Sequence, residues 1–299
     1  MSANPTRPTA VGLVLRRSAR QLATEPFYVE LIAGMEQVLL RRGLHVLMQV
    51  VDGAGAQGME AEIASYHRWF SGDTIRGVVL VDLVPDDPRP EILHRLGLPA
   101  IIVGEPGPDA PLPSVRTDSY NAMREAVSGL AALGHRRIAR VTGLTALVHT
   151  RERTRAYHEA VSSLGLTPLY AEGDYSAESG AGATALLLDQ PEAPTAIIYD
   201  NDVMALAGLD VTRSRGIAVP ETLSILAWDD SQLCRLATPP LSAMSHDVNA
   251  QGMLAARLLL EVLDGGWPAD VVTPKPVFLQ RGSTTEHVIN VPAGHGEAR

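Results

Sequence analysis

Short runs of aliphatic and β-branched residues alternate along most of the chain with longer amphipathic stretches. The short runs are nearly all apolar rather than alternating, which indicates strands of a parallel sheet covered on both faces. They predict strands at Val11–Leu15, His45–Val51, Gly77–Val81, Ala100–Val103, Ile138–Thr142, Thr167–Ala171, Ala196–Tyr199 and Leu223–Ala227. The amphipathic stretches predict helices at Phe27–Arg42, Met59–Phe70, Tyr120–Leu133, Arg151–Leu164, Gly180–Leu188, Val203–Arg215 and Gly252–Leu263.

Glycines mark the ends of the predicted helices. Each follows a helical stretch and leads into a strand, where a left-handed helix cap is expected. These glycines are Gly43, Gly97, Gly134, Gly165 and Gly216. Regular alternation of strands and helices is typical of right-handed βαβ units. We therefore predict the α/β class, with two doubly wound parallel-sheet domains.

The length and composition agree with two globular domains. A chain of 299 residues is long for one core, and the pattern breaks near Pro111–Arg116. The segments before Pro8 and after Asn290 are rich in proline, glycine and charge, which predicts flexible tails. The net charge is −9 and Lys275 is the only lysine, so we expect no DNA binding by this chain alone.

The sequence contains none of the common signals for metal binding, export or membrane insertion. Cys234 is the only cysteine, which excludes an internal disulfide and the cysteine-based zinc sites. The N-terminus lacks the apolar segment of a signal peptide, and no run approaches the roughly 18 apolar residues of a membrane span. We expect a cytoplasmic protein with no membrane partner, no metal and no cofactor.

Motifs for catalysis are also lacking. The chain has no G-x-S-x-G, no G-x-x-x-x-G-K-[ST] and no H-E-x-x-H, so we expect no enzyme and no catalytic residue. GAGAQG at Gly53–Gly58 matches G-x-G-x-x-G, a dinucleotide-binding pattern. It follows the second strand, and Asp82 comes too late for the ribose-binding acid. A plain flexible loop is favoured, and a nucleotide-dependent enzyme remains an alternative.

Polar residues after the strands predict a ligand site. In doubly wound sheets, ligands bind beyond the carboxyl ends of the strands, where loops from both halves meet. In YDND at Tyr199–Asp202 and AWDD at Ala227–Asp230, we assign the second acid of each to helix capping, and Asn201 and Asp229 to the cleft. In RERTRAY at Arg151–Tyr157, one arginine is expected to enter the cleft and bind an anion or a sugar diol, unless all three are exposed.

Several segments resemble the effector-binding core of the lactose- and purine-repressor (LacI/GalR) family. They are GHRRIARVTG at Gly134–Gly143, RTRAYHEAVSSLGL at Arg153–Leu166, the long stretch Pro194–Val248 and QRGSTT at Gln280–Thr285. The similarity, which extends into the N-terminal half, covers about residues 10 to 285.

The resemblance implies a fold and a domain division. It predicts two periplasmic-binding-protein-like domains joined by three crossovers. The N-terminal subdomain would comprise residues 10–115 plus 247–270, and the C-terminal subdomain residues 116–246 plus 271–290. The family's helix-turn-helix headpiece is expected to be absent from this chain.

The resemblance also implies a function. The chain would be the effector-binding and dimerisation core of a DNA-binding transcription regulator, in which a sugar, nucleoside or related molecule in the interdomain cleft controls operator binding allosterically. The operator would be contacted only through the headpiece. A homodimer is expected. The alternative is a solute-binding protein of a transport system with the same fold.

Nine residues match positions that the family uses for effector binding. Arg153 stands where the effector-clamping arginine does, and Asn201 and Asp229 match a cleft amide and carboxylate. The remaining six, which are aromatic or polar, are Phe27, Tyr28, Glu105, Asp118, Tyr175 and His246. The first loop departs from the family pattern, because Arg16, Arg17, Arg20 and Glu25 replace its short polar stretch.

Overall fold

The computed structural model of the chain describes residues 8–22, 24–53, 55–107 and 109–287. The tails predicted before Pro8 and after Asn290 lie outside these ranges. Within them, none of the helices combines the length and the apolar character needed to cross a bilayer.

The first lobe is a six-stranded parallel sheet with helices on both faces. Its strand order is β11-β5-β4-β3-β1-β2. Its elements are β1 (Ala10–Arg16), α1 (Ala19–Leu22), α2 (Pro26–Leu39), β2 (His45–Val51), α3 (Ala56–Ser71), β3 (Gly77–Leu80), α4 (Arg89–Leu96), β4 (Ala100–Val103), β5 (Ser114–Arg116), α10 (Val248–Leu263) and β11 (Val271–Val272).

The second lobe repeats this plan. Its strand order is β12-β10-β9-β8-β6-β7, with β12 antiparallel to β10. Its elements are α5 (Ser119–Ala132), β6 (Ile138–Thr142), α6 (Val148–Ser163), β7 (Leu169–Glu172), α7 (Ala177–Leu188), β8 (Ala196–Tyr199), α8 (Asp202–Ser214), β9 (Ser224–Asp229), α9 (Gln232–Leu236), β10 (Ser242–Ser245) and β12 (Val277–Leu279).

The chain passes between the lobes three times, as predicted: between β5 and α5, between β10 and α10, and between β11 and β12. Two of the passages lie slightly later than the predicted boundaries. Arg116 of β5 pairs with Val272 of β11 in the first sheet, although both residues had been assigned to the C-terminal subdomain.

The predicted glycine caps at the ends of the helices are confirmed. All five capping glycines have a positive φ between 66° and 90°. The expectation that every strand is covered on both faces is wrong for β2. This strand ends the sheet, and several of its side chains are exposed. Its apolar residues therefore form part of the surface.

Candidate functional site

A cleft of about 610 Å³ lies between the lobes, at the carboxyl ends of the strands. All nine residues predicted for effector binding line it: Phe27, Tyr28, Glu105, Asp118, Arg153, Tyr175, Asn201, Asp229 and His246. Both lobes contribute, because parallel strands bring their following loops to the same edge. Arg153 and Asp229 both belong to the second lobe.

Arg153 lies in the first turns of α6 and is almost completely buried. Its guanidinium carbon is 3.9 Å from the ring centroid of Trp228, and Nη1 donates a hydrogen bond of 3.1 Å to the Asp200 carbonyl. Its Nε has no hydrogen-bond partner among the described residues. The stacked guanidinium thus retains donor capacity at the cleft. The other two arginines of the motif, Arg151 and Arg155, are exposed.

A buried ion pair beneath the cleft supports Arg153. Asp200 accepts two hydrogen bonds from Arg140, at 2.6 and 2.9 Å, and a third from the backbone of Gly143 at 2.9 Å. Burial alone would raise the pKa of Asp200, but the charges of Arg140 and Arg153 hold it below its ordinary value. Asp200 therefore stays ionised, and the carbonyl that binds Arg153 is fixed in place.

Asp229 and His246 form a pair on the second lobe. His246 Nε2 lies 2.9 Å from Asp229 Oδ1, and both side chains are largely buried. Asp229 has a φ of +83°, in the left-handed region that aspartate tolerates better than most residues. The turn after β9 thereby places the carboxylate at the cleft.

Asp202 and Asp230 were predicted to cap helices, and neither does. Asn201 caps α8 instead, because its Oδ1 accepts the Met204 N–H at 2.9 Å, and its Nδ2 donates to the Tyr175 carbonyl. Asp202 is the first residue of α8 and accepts the Ser231 N–H. Asn201 thus lines the cleft while much of its hydrogen-bonding capacity is already used.

Asp230, the other predicted cap, does not cap a helix either. Ser231 caps α9, while Asp230 binds Arg281 and the hydroxyl of Ser245. Burial and the nearby Asp229 raise the pKa of Asp202 to about 7. The aspartates after β8 and β9 are therefore tied to residues distant in sequence.

The first lobe contributes a buried guanidinium that the sequence analysis did not assign to the cleft. Arg17 follows β1 and pairs with Asp82 at 2.9 Å and with Glu25 at 3.4 Å. Its guanidinium carbon lies 5.6 Å from the ring of Tyr28 and 5.9 Å from the ring of Tyr175, which belongs to the other lobe. The sequence signal that could have indicated a cleft residue here was an arginine that comes directly after an apolar strand.

Asp82 anchors this cluster. It accepts the Tyr28 hydroxyl at 2.6 Å, while Arg16 and Arg89 each donate to its carbonyl at 2.8 Å. Burial, the largest single effect, would raise the pKa of Asp82, but the charge of Arg17 together with the other neighbouring charges and the Tyr28 hydrogen bond outweighs it and lowers the pKa. Asp82, which follows a predicted strand and comes too late for a ribose-binding acid, therefore lines the cleft as an ionised carboxylate.

Glu25 and His149 are largely buried, and the pKa of each is shifted in the direction that favours its neutral form. Burial raises the pKa of Glu25 to about 7, against the attraction of Arg17. Burial, and next the charge of Arg153, lower the pKa of His149 to about 4. A neutral imidazole therefore shares a hydrogen bond of 2.8 Å with the Tyr175 hydroxyl at neutral pH.

The mouth of the cleft near the first crossover carries more exposed side chains. Arg116 forms a bidentate pair with Glu105 on the first lobe. Asp118 caps α5 by accepting the Asn121 N–H at 2.9 Å. Tyr120 follows in the first turn of α5, and the guanidinium carbon of Arg155 lies 4.6 Å from its ring.

Among the residues of GAGAQG that the structure describes, none lines the cleft. Gly53 has a φ of +95°, and α3 begins at Ala56. A Cβ on Gly58 would lie 1.7 Å from the Gly53 carbonyl oxygen, so the glycine allows a tight turn. Among the described residues, no group of three or more histidine, cysteine, aspartate or glutamate side chains is arranged to hold a metal ion.

Comparisons with known proteins identify similar transcriptional regulators and a matching domain family. A family model described as a periplasmic binding protein-like domain matches residues 127–284. The HTH-type transcriptional regulator CelR of Thermobifida fusca is 33% identical over 265 residues, which cover 87% of this chain and 76% of that protein.

Solved structures agree. A LacI family transcriptional regulator from Bifidobacterium animalis subsp. lactis superposes with a TM-score of 0.84 at 33% identity, covering 95% of this chain and 100% of that one. A CelR–cellobiose complex superposes with a TM-score of 0.81 at 31% identity, covering 93% of this chain and 86% of that chain. The similarity therefore extends over both lobes and the cleft between them.

Proposed function

The chain belongs to the LacI family of transcriptional regulators and contains the effector-binding core of such a regulator, and we propose that its interlobe cleft binds a small, neutral, sugar-like effector. The observation that carries the proposal is the composition of the cleft. The guanidinium of Arg153 and the carboxylate of Asp229, held on one lobe, offer donors and acceptors to a ligand with hydroxyl groups. The relatives are regulators, which favours this role over solute transport and over catalysis.

Charge pairing favours a neutral effector over an anionic one. Three of the four arginines that line the cleft are paired with acids: Arg17 with Asp82, Arg116 with Glu105, and Arg155 with Glu152. Arg153 is the arginine of this set that forms no ion pair with a carboxylate among the described residues. A phosphate group needs several free donors and would also meet the nearby carboxylates. A polyol suits these groups better.

The solved complex of the relative CelR with cellobiose supports a carbohydrate. The volume of the cleft lies in the range of about 300–1,000 Å³ that is usual for small-molecule sites. We propose that all nine predicted residues contact the effector, directly or through water. A nucleoside remains the second candidate, since it also combines hydroxyl groups with a flat apolar ring.

Regulation would follow from a difference in effector affinity between two lobe arrangements. An effector can shift this equilibrium only by the ratio of its affinities for the two states, typically worth about 1–3 kcal/mol. We propose that the regulator acts in the cytoplasm as a homodimer, and that the operator is contacted by a helix-turn-helix headpiece, as in the family.

The test is a thermal-shift screen against sugars and nucleosides, followed by calorimetry with the best ligand. We expect Arg153→Ala and Asp229→Ala to abolish measurable binding, because each removes a side chain that faces the ligand. Arg151→Ala is the matched control: it removes an exposed arginine of the same helix that does not line the cleft. It should bind like the wild type.

Circular dichroism separates binding from folding. A variant of Arg153 or Asp229 that stays folded and still binds the ligand with wild-type affinity would refute the proposed site. A screen in which no sugar or nucleoside raises the melting temperature would refute the proposed effector class.

A further inference from the structure

Residues 82–87, which follow β3, form a turn that reaches from the first lobe to the second. The Asp82 side chain lines the cleft. The Leu83 carbonyl accepts the Val148 N–H of α6 at 2.9 Å, and the Val84 side chain packs against the core of the second lobe. The turn therefore supplies both a hydrogen-bond acceptor and an apolar side chain to the other lobe.

The backbone of this turn is strained and needs support. Asp82 has a φ of +52° and Asp86 a φ of +53°, in the left-handed region that is unfavourable for residues other than glycine. Asp87 closes the turn, because its Oδ2 accepts the Val84 N–H at 3.1 Å and its Oδ1 accepts the Arg89 N–H at 2.9 Å. Such a conformation persists only where its surroundings hold it.

Two buried guanidiniums hold the start of the turn. Arg16 Nη2 and Arg89 Nη2 each donate to the Asp82 carbonyl at 2.8 Å. Glu62 of α3 pairs with both arginines: its Oε2 lies 3.0 Å from Arg16 Nε, and Arg89 Nη1 donates to its two oxygens at 2.8 and 2.9 Å. Glu62 is therefore the shared partner of the two groups that bind the Asp82 carbonyl.

The four charged residues form a balanced network, called here the buried network: Arg16, Glu62, Asp87 and Arg89. Asp87 pairs with Arg89 at 2.6 Å, and the Tyr66 hydroxyl donates a further hydrogen bond to Glu62. Glu62 and Arg89 are almost completely buried. Buried charges are stable only where they are paired and hydrogen-bonded, so the two carboxylates fix the positions of the two guanidiniums.

We propose that Glu62 is a positioning residue for the contact between the lobes. Through Arg16 and Arg89 it fixes the Asp82 carbonyl, and thereby the turn whose next residue binds the second lobe. Glu62 itself does not line the cleft. The inference goes beyond the proposed function, because it concerns the contact between the lobes and does not depend on which effector binds.

The amide of Val148 reports this contact directly. Val148 is the first residue of α6, so the helix itself provides no acceptor for its N–H. Its protection from hydrogen exchange therefore depends on the Leu83 carbonyl. The Arg151 amide, by contrast, donates to the Leu147 carbonyl at 3.1 Å and reports the start of α6 alone.

The test is hydrogen exchange of the full chain at single-residue resolution, without added ligand. Arg89→Lys keeps the positive charge, but its single nitrogen lacks the planar fork that reaches Glu62 and the Asp82 carbonyl together. We expect exchange of the Val148 amide to accelerate at least roughly tenfold, and exchange of the Arg151 amide to stay within about twofold of the wild type.

The matched control for this variant is Arg95→Lys. Arg95 lies on the same helix, α4, and forms an exposed ion pair with Glu91. The substitution makes the same chemical change outside the buried network. It should leave the exchange of the Val148 amide as it is in the wild type.

Glu62→Gln tests the shared partner itself. It keeps the size of the side chain and removes the charge, so it should accelerate Val148 exchange as well. Because it leaves buried guanidiniums with one carboxylate fewer, it should also destabilise the first lobe. Gly34→Ala controls for that effect: its added Cβ would lie 2.0 Å from the Asn249 carbonyl oxygen, so it strains the same lobe at a different place.

Urea denaturation and melting temperatures compare the stability of these variants. Faster exchange at Val148 in Arg89→Lys and Glu62→Gln, with wild-type exchange in Gly34→Ala, would support the positioning role. Unchanged exchange at Val148 in a folded Arg89→Lys would overturn it. Equal acceleration at Val148 and Arg151, or in Gly34→Ala, would also overturn it, because general loss of stability would then explain the result.

These results are independent of the effector. A ligand screen in which no sugar or nucleoside binds would refute the proposed effector class and leave the role of Glu62 intact. If Glu62→Gln does not fold, Arg89→Lys decides the question.

Discussion

At the scale of single residues, the cleft is built on unusual backbone conformations. Asp82 and Tyr175 follow strands, Asp229 ends one, and all three have a positive φ, between 52° and 83°. A non-glycine residue in this region is strained, and such residues concentrate at functional sites. The two aspartates tolerate it because a short polar side chain can bond locally. Tyr175 has no short polar side chain of this kind, so its backbone conformation depends on the packing and hydrogen bonds around it.

Glu25 is the residue whose charge state should respond to pH near neutrality. It is surrounded by Arg17, which stabilises its ionised form, and by Asp82 and Asp229, which oppose it. Because burial dominates, its pKa rises from 4.5 to about 7. The folded chain then holds a proton that the unfolded chain has released.

The sign of the effect on stability follows from this difference. A raised pKa adds stability that is fully present below pH 4.5 and is lost as the pH rises through about 7. Glu25→Gln has no charge to bury, so we expect it to gain stability relative to the wild type between about pH 5 and pH 8. The gain should be at most on the order of 3 kcal/mol.

Urea denaturation of both proteins at several pH values measures this difference. Asp202 also has a pKa of about 7 but is present in both proteins, so its contribution cancels. A difference in unfolding free energy that stays constant across this range would show that Glu25 does not titrate as argued.

At the scale of elements, a backbone hydrogen bond at the start of α6 connects the two lobes. Val148 is its first residue and donates its N–H to the Leu83 carbonyl of the first lobe at 2.9 Å. The side chain of Val148 packs against the first lobe, and that of Val84 packs against the second. An N–H that the helix cannot satisfy itself thus bonds across the cleft.

Val148→Pro should weaken the contact between the two lobes without breaking α6. Proline is tolerated at the first position of a helix, and the preceding Leu147 is already extended, with φ −80° and ψ 142°. The substitution removes the donor of one hydrogen bond, worth about 1 kcal/mol, so the closed population should fall roughly fivefold relative to the open one. Small-angle scattering should report a larger radius of gyration.

Val148→Ala serves as the control, since it shortens the side chain and keeps the N–H. If the proline and alanine variants scatter alike, the hydrogen bond does not hold the lobes together.

The pairing of α2 with α10 depends on two glycines. A Cβ on Gly34 would lie 2.0 Å from the Asn249 carbonyl oxygen, and one on Gly252 would lie 2.1 Å from the Leu31 carbonyl oxygen. The two helix backbones therefore approach each other more closely than any side chain allows.

Gly34→Ala should destabilise the first lobe by about 1–3 kcal/mol, because backbone must move to admit the methyl group. Gly182→Ala is the matched control, within α7, where nothing lies within 4 Å of the added Cβ. It should stabilise by about 0.5–1 kcal/mol, since alanine favours the helix. Chemical denaturation checks both, and a stabilised Gly34→Ala would contradict the close packing.

At the scale of the whole molecule, the exposed edge of the first sheet bears on assembly. Strand β2 exposes Leu47, Met48 and Val50, and Phe70 of α3 is also exposed. Unpaired edge strands with apolar side chains tend to associate unless another surface covers them. We infer that this edge belongs to the surface buried in the proposed homodimer.

Light scattering should therefore give a mass of twice 31.9 kDa at micromolar concentration. Met48→Lys places a charge on this edge and should shift the mass toward the monomer. A wild-type mass near 31.9 kDa under these conditions would contradict the homodimer, whereas a dimer unaffected by Met48→Lys would place the interface elsewhere.

Local patterns along the chain were sufficient for much of the fold. The predicted strands His45–Val51, Ala100–Val103, Ile138–Thr142 and Ala196–Tyr199 have the observed bounds, because a short run of mostly apolar residues marks each of them. The short strands β5, β10, β11 and β12 were missed. They have two to four residues, some of them polar, and become strands only because a neighbouring strand is present.

The sequence by itself determined the α/β class, the glycine caps at the helix ends and, through the family resemblance, which nine residues line one cleft. Only the tertiary structure decided that Arg17 joins them, that Asn201 caps a helix, and that Arg153 stacks on Trp228. The physical reason is that apolar periodicity and glycine caps are properties of adjacent residues. Charge pairs, by contrast, depend on which loops the two sheets bring together, and the partners of Arg17 lie up to 65 positions away.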